Sequence, residues 1–585
     1  MATTQVTVTL PTQTSPQFNQ TIIGKKSAAS AEIDEFLGIP YGVIPARWKH
    51  SHLRTSLPSD EFHALKNGPK CPQLPEPNSS EGGFNATIPF PADVTESEFD
   101  CLNLFVVRPS REALVKAGFD PEAPLPVLTW IHGGGLGFGA CTDPMWNPTN
   151  LVLESLRLGK PFVAVYLNYR LGVFGFLATS AMLEIQKPDE VHGLNFGLRD
   201  QKVGLQWVFD NIAAFGGDPE RITIAGQSAG GNSVNVHALE AKLNGSSHLF
   251  SGAILQSGAM GTIGPVSVEA AEGQWNNLCQ RLGVVAEDKF SKLLEMEKIG
   301  VADLIAATRK MMWLVFPVVN DKITIDFTNK LEPLAVNLGE TSVGLVRQRI
   351  TPILVLLGEV DEEGYMGKYD VEAITNYQTI ADIFFSSKVE EAVIEKMLQL
   401  YGIAPKASLK DIHTGLYRFL TEVQFSYPLF KNYKLFAGLD AISKPDVLGT
   451  SASRYKVNFG NPFRDGPGGL FGISHHCVDM IYIFNAFPKE MADADARLDA
   501  SEPSNIDLRK HMQKDWIQFI TREPTEDSIS SDDTILQYDK DRVVRHVLPQ
   551  KDEFYTAQLE RLEFLEEHLP EIWKALKAFT GTNIY

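Results

Sequence analysis

The sequence predicts an α/β fold: a large, mostly parallel central sheet with helices on both faces and a helical C-terminal half. Three observations lead there. Short apolar, β-branched runs recur at residues 102–109, 125–132, 163–170, 221–226 and 253–258. A helical stretch at 198–215 lies between them, the alternation that covers a parallel sheet on both sides. With 44% hydrophobic and 21% charged residues, the 585-residue chain also has ample material for such a core.

Taken in order, residues 6–24 alternate apolar and polar side chains around Pro11 and Pro16, which predicts an edge hairpin. Phe36-Leu37-Gly38-Ile39-Pro40-Tyr41-Gly42 reads as a strand closed by a turn, with Arg47-Trp48 beyond it. Residues 71–101 are rich in Pro, Gly, Ser and Asn and predict a long surface loop. Pairing of Cys71 with Cys101 at its ends would contribute roughly 3.7 kcal/mol, though not dependably in a reducing compartment.

The strand at 125–132 runs straight into Gly133-Gly134-Gly135. In the helix at 198–215, Leu205, Val208 and Ile212 share one face, and Gly216-Gly217-Asp218-Pro219 leads into the next strand. Beyond about residue 265 the pattern turns helical, interrupted by one apolar strand at 351–357. The end of the chain reads as amphipathic helix carrying Leu559, Leu562, Leu565, Leu569 and Ile572. No repeat or linker divides the chain, so residues 1–585 are expected to form one domain.

Composition narrows the partners. A net charge of −19 argues against nucleic acid or anionic membrane, and no apolar run approaches the ~18 residues needed to span a bilayer. The first seven residues lack a basic and an apolar region, so a cytoplasmic location is expected, with secretion as the alternative. Four glycosylation triplets, at Asn19, Asn78, Asn85 and Asn244, would suit that alternative. The five cysteines, Cys71, Cys101, Cys141, Cys279 and Cys477, have no metal-ligand spacing. No cofactor or metal is expected.

The stretch Gly226-Gln227-Ser228-Ala229-Gly230 joins the 221–226 strand to a helix start. A strand–turn–helix with serine at its apex pushes the hydroxyl out above the sheet, where a base and a carbonyl reach it. Bulky groups beside so tight a turn would clash, which suits Gly226 and Gly230. The five-residue pattern alone arises by chance in roughly one chain in five of this length, so its weight comes from the machinery around it.

That machinery resembles the type-B carboxylesterase/lipase family, the cholinesterase-like branch of the α/β-hydrolases, and in detail its fungal esterases. The matching pieces include Gly38-Ile39-Pro40-Tyr41, Asp100-Cys101-Leu102-Asn103-Leu104 and Trp130-Ile131-His132-Gly133-Gly134-Gly135. Asn168-Tyr169-Arg170-Leu171-Gly172 and 211–219 extend the match. The resemblance implies a serine carboxylic-ester hydrolase acting through an acyl-enzyme. Ser228 is then the nucleophile, Glu363 of Glu363-Gly364 the acid, and Gly134, Gly135 and Ala229 the oxyanion donors. His132 packs behind that loop rather than reacting.

Two adjacent histidines compete for the base. Counting from Gly472 selects His475, whereas Asp479 three positions later and Phe484 eight positions later select His476, which is the assignment adopted. Two departures from the family pattern stand out. Gln227 replaces a glutamate, which weakens any preference for cationic esters, and Phe99 replaces the usual partner of Arg47, leaving open whether Glu98 serves. Arg170 and Asp200 match a buried structural pair. Neutral small-molecule esters of short or medium acyl chain are expected, since the 71–101 loop is too polar for an apolar lid. Acyl transfer or lactone processing on the same triad is an alternative, as is a non-catalytic binding role.

Overall fold

The computed structural model describes residues 5–11, 19–74, 88–186, 189, 191–244, 249–309, 316–328, 331–341, 353–439, 450–466, 468–522 and 534–581. Thirteen strands among these residues form one mixed sheet. In chain order they are β1 (Gln5–Pro11), β2 (Asn19–Lys26), β3 (Ile33–Pro40), β4 (Glu61–His63), β5 (Asn103–Pro109) and β6 (Leu125–Ile131). Then come β7 (Val163–Leu167), β8 (Gly217–Gln227), β9 (Gly252–Gln256), β10 (Leu354–Val360), β11 (Ser451–Val457), β12 (Ile535–Tyr538) and β13 (Val544–Val547).

Across the sheet the order is β1-β2-β3-β5-β7-β6-β8-β9-β10-β11-β12-β13, with β4 beside β2. From β7 to β12 every neighbour is parallel. The edges are antiparallel: β1 and β2 form the expected hairpin, and β13 turns back along β12.

The alternation of side chains in these strands fills two cores. Val127 and Ile131 of β6 join Ile222, Ile224 and Leu255 on one face. Leu128 and Trp130 join Ala225, Ile254 and Leu356 on the other. Both faces are therefore dry, which is why these strands read as apolar runs rather than as alternating ones.

The expected helix at 198–215 is an α-helix over Phe196–Asn211 and a 3₁₀ turn over Ile212–Phe215, stopped by Gly216 at φ 82°. Two expectations change. The strand expected at 351–357 is β10, three residues further on, and residues 351 and 352 lie outside the described residues. The C-terminal amphipathic stretch is two helices, Glu553–Glu567 and Leu569–Thr580, because Pro570 cannot continue the first and instead begins the second.

Candidate active site

β8 ends at Gln227 and a helix covers Ala229–Asn244, with Ser228 alone between them. Its φ is 57°, the left-handed region, which costs a non-glycine residue roughly 1–2 kcal/mol. The surroundings hold it there. Ser228 N–H donates to Gln256 O at 2.8 Å, and Asn232 N–H donates to Ser228 O at 2.9 Å. The glycines are required by contact: a Cβ on Gly226 would strike the Gly230 carbonyl, and one on Gly230 would strike the Ile131 carbonyl.

Glu363 follows β10 and His476 lies in the loop after its parallel neighbour β11, and the His476 ring reaches Gln227 at the end of β8. The imidazole Nδ1 of His476 lies 2.5 Å from Glu363 Oε2. Val360 N–H donates to the other Glu363 oxygen at 3.0 Å. Ser228 is 9% exposed, His476 3% and Glu363 not at all, so the contacts form away from bulk water. Phe425 packs on the imidazole with ring centroids 5.1 Å apart.

The remaining acidic residues at the end of β10 and in the turn after it are engaged elsewhere. Glu362 exchanges hydrogen bonds with Ser474, accepting from its N–H at 2.8 Å and donating to its carbonyl at 2.9 Å, which ties the two loops together. Glu359 and Asp361 flank the buried Lys456 at 3.3 and 3.4 Å. His475 is engaged elsewhere: its Nε2 meets Asn461 at 2.9 Å, its Nδ1 meets His476 O at 2.6 Å, and burial pushes its pKa down to about 4. Asp479, one turn beyond His476, accepts from Gln256 Nε2 at 2.5 Å. Burial raises its pKa to about 6.

The glycine loop after β6 brings Gly134 at φ 101° and Gly135 at φ 58° to the same side. Among the described residues nothing accepts from the N–H of Gly134, Gly135 or Ala229. Ala229 is also the first residue of its helix, where the dipole is positive. The three donors suit a developing oxyanion. His132 is wedged between Tyr169 and Trp146 in parallel stacks, neutral because burial lowers its pKa to about 4.

The departures noted in the sequence have local explanations. Glu98 takes the place left by Phe99, pairing with Arg47 through two contacts of 2.5 and 2.8 Å. Arg170 and Asp200 form a buried bidentate pair at 2.7 and 2.8 Å. Gln227 Nε2 lies 3.1 Å from His476 Nε2 and 2.9 Å from Cys477 Sγ. Cys71 and Cys101 are free, buried thiols in contact with each other, not a disulfide. Cys141, Cys279 and Cys477 are buried as well. Asn19 and Asn244 are exposed, and Asn78 and Asn85 fall outside the described residues.

Sequence reasoning missed Phe425. It sits in a π-helical turn, Glu422–Ser426, that no residue pattern announces. Glu422 in that turn is held by Arg561 of the C-terminal pair of helices at 2.7 Å.

A parallel sheet of this order, with a serine on a left-handed turn after a central strand, is that of an α/β-hydrolase. The carboxylesterase family matches residues 13–561, so the chain belongs to that family, and it is a carboxylic-ester hydrolase. It is similar to Lipase 3 of Yarrowia lipolytica, 28% identical over 80% of this chain and 83% of that protein. It is also similar to the secreted triacylglycerol lipase LIP1 of Gibberella zeae, 34% identical over 48% of this chain and 45% of that one. Among solved structures, a PNB esterase superposes with a TM-score of 0.63 at 22% identity, covering 94% of this chain and 99% of its own.

Proposed function

We propose that Ser228, Glu363 and His476 are the triad of this hydrolase and that its substrates are neutral esters. Glu363 holds the Nδ1 proton of His476, which leaves the lone pair on Nε2. Nε2 takes the Ser228 proton as Oγ attacks the ester carbonyl. The N–H groups of Gly134, Gly135 and Ala229 receive the oxyanion. The imidazolium then protonates the departing alcohol, and water activated by the same nitrogen releases the acid from the acyl-enzyme. The observation that carries this reading is the 2.5 Å contact between His476 and Glu363 beside the left-handed Ser228.

Neutral substrates are favoured by Gln227, which brings no charge to the position where the family usually has glutamate. Residues 1–585 are read as one catalytic domain, because its sheet runs from β1 to β13. The names of relatives support a second reading of the substrate, triacylglycerols, and the word secreted in one name supports export over a cytoplasmic location.

An organophosphate probe with wild type and Ser228→Ala tests the mechanism. Labelling and turnover are expected in wild type only; a folded Ser228→Ala that keeps wild-type turnover would sink it. A p-nitrophenyl series from acetate to palmitate, run beside emulsified triolein, then separates the acyl readings. A rate jump above the solubility limit of triolein selects the lipase reading over short-chain esters.

A further inference from the structure

Gln73, in the loop that follows Cys71, is 4% exposed, and both ends of its carboxamide are used on one residue of the glycine loop. Its Oε1 accepts from Gly139 N–H at 2.8 Å, and its Nε2 donates to Gly139 O at 2.9 Å. The same Nε2 donates to Cys71 O at 3.0 Å. One backbone donor and one backbone acceptor fix which way the amide faces, since the flipped form would set like against like.

Gly139 closes the turn that begins at Gly133. Its φ is 105°, and a Cβ there would strike the His132 ring and the Gly133 carbonyl, so its backbone lies against the start of the loop. Its neighbour Phe138 donates its N–H to Gly134 O at 3.1 Å. The loop is thus gripped at two points: Gly172 N–H holds Leu136 O at 2.7 Å, and Gln73 holds Gly139. These grips share a base, because Cys71 Sγ accepts from Leu171 N–H at 3.3 Å.

We propose that Gln73 is a positioning residue for the oxyanion donors, acting through Gly139 to hold Gly134 and Gly135; this rests on the triad and oxyanion reading above. An oxyanion is bound by donors whose geometry is set before the reaction, so release of one grip acts on the transition state more than on the bound ester. A donor displaced by about 1 Å is expected to cost roughly a hundredfold in rate.

The test uses full-length Gln73→Met, which keeps the length of the side chain but neither hydrogen bond. It measures kcat and KM for p-nitrophenyl butyrate, Ki for an aryl trifluoromethyl ketone, and the melting curve. The ketone adds to the serine and places an oxyanion on the same donors. A fall in kcat of about 10- to 100-fold is expected, with KM within about twofold and Ki raised by the same factor as kcat falls.

Wild-type kcat in a folded Gln73→Met overturns the proposal, and so does a loss of kcat with unchanged Ki. If Gln73→Met does not fold, Gln73→Asn, one methylene too short to reach both groups, is judged by the same criteria. Loss of fold in both makes Gln73 a stability residue and overturns the proposal too. A wild-type enzyme indifferent to the ketone is a different failure, that of the oxyanion reading itself.

Discussion

Exchanging the two adjacent histidines one at a time separates chemistry from packing. His476→Ala removes the imidazole that meets Glu363 at 2.5 Å and, on the proposed triad, the proton acceptor for Ser228. Loss of the base in a serine triad costs about a millionfold in kcat, which at 1.36 kcal/mol per decade is about 8 kcal/mol on the barrier. The fold should survive. His475→Ala removes a buried ring whose Nε2 meets Asn461 at 2.9 Å. Loss of that partner costs about 1–3 kcal/mol of stability, within a margin of about 5–15 kcal/mol, and leaves the base in place. Turnover of a p-nitrophenyl ester, measured beside urea denaturation for each variant, should therefore show opposite patterns. A stable His475→Ala that loses more than about a hundredfold in kcat, with His476→Ala still active, would hand the base to His475 and refute the geometry argued above.

Three other outcomes follow from the same contacts. Glu363→Gln should lower kcat by about 10⁴-fold, while Glu362→Gln and Asp361→Asn stay within about tenfold; a steady-state assay showing the reverse ranking moves the acid. Asp200→Asn leaves the Arg170 guanidinium uncompensated in the core and should cost about 3–5 kcal/mol, read from the urea midpoint; a change under about 1 kcal/mol would deny the pair its structural role. Finally, stability should fall on acidification. Burial lowers the pKa of His50 and His237 to about 3 and of His132 and His475 to about 4, so the unfolded chain binds protons first as pH drops below 6.5. Each of the four costs about 2 kcal/mol by pH ~5. Asp479 opposes them, because its raised pKa favours the folded state as pH falls from about 6 toward 3.8, and Glu96, Glu362, Asp370 and Glu422, also raised by burial, act in the same direction. The histidines lose stability across this whole window and carry the larger shifts, so a urea midpoint that holds or rises between pH ~7 and pH ~5 contradicts this balance.

The strands that carry the serine and the glycine loop were legible because both faces of each are dry, and dryness is written as uninterrupted apolar sequence. β11 was not legible, because Ser451–Val457 contains Arg454 and Lys456. Lys456 is tolerated only by Glu359 and Asp361, which arrive from a neighbouring strand and the turn after it. β12 and β13 were missed as well, being four residues each and lying at the sheet edge. Gln73 marks a further limit: its partner Gly139 is far away in the chain, and local sequence holds no sign of the pairing, whereas Glu98 was readable as a candidate for Arg47 and only the fold decides it. The two histidines lie between these extremes, their spacing readable but their directions decided by Asn461 and Glu363.

The order in which strands enter the sheet has a consequence for the birth of the enzyme. β6, β8 and β9 come early and lie side by side, so the ribosome releases the serine and its glycine loop together. Gln227 and His476 are 249 residues apart. At about 5–20 residues per second, tens of seconds separate the two during synthesis. Arg561, which anchors the turn bearing Phe425, emerges later still. On the triad proposed above, the nascent chain for that interval carries Ser228 without His476 to take its proton, and esters it meets are left intact until His476 and the elements that hold it have emerged.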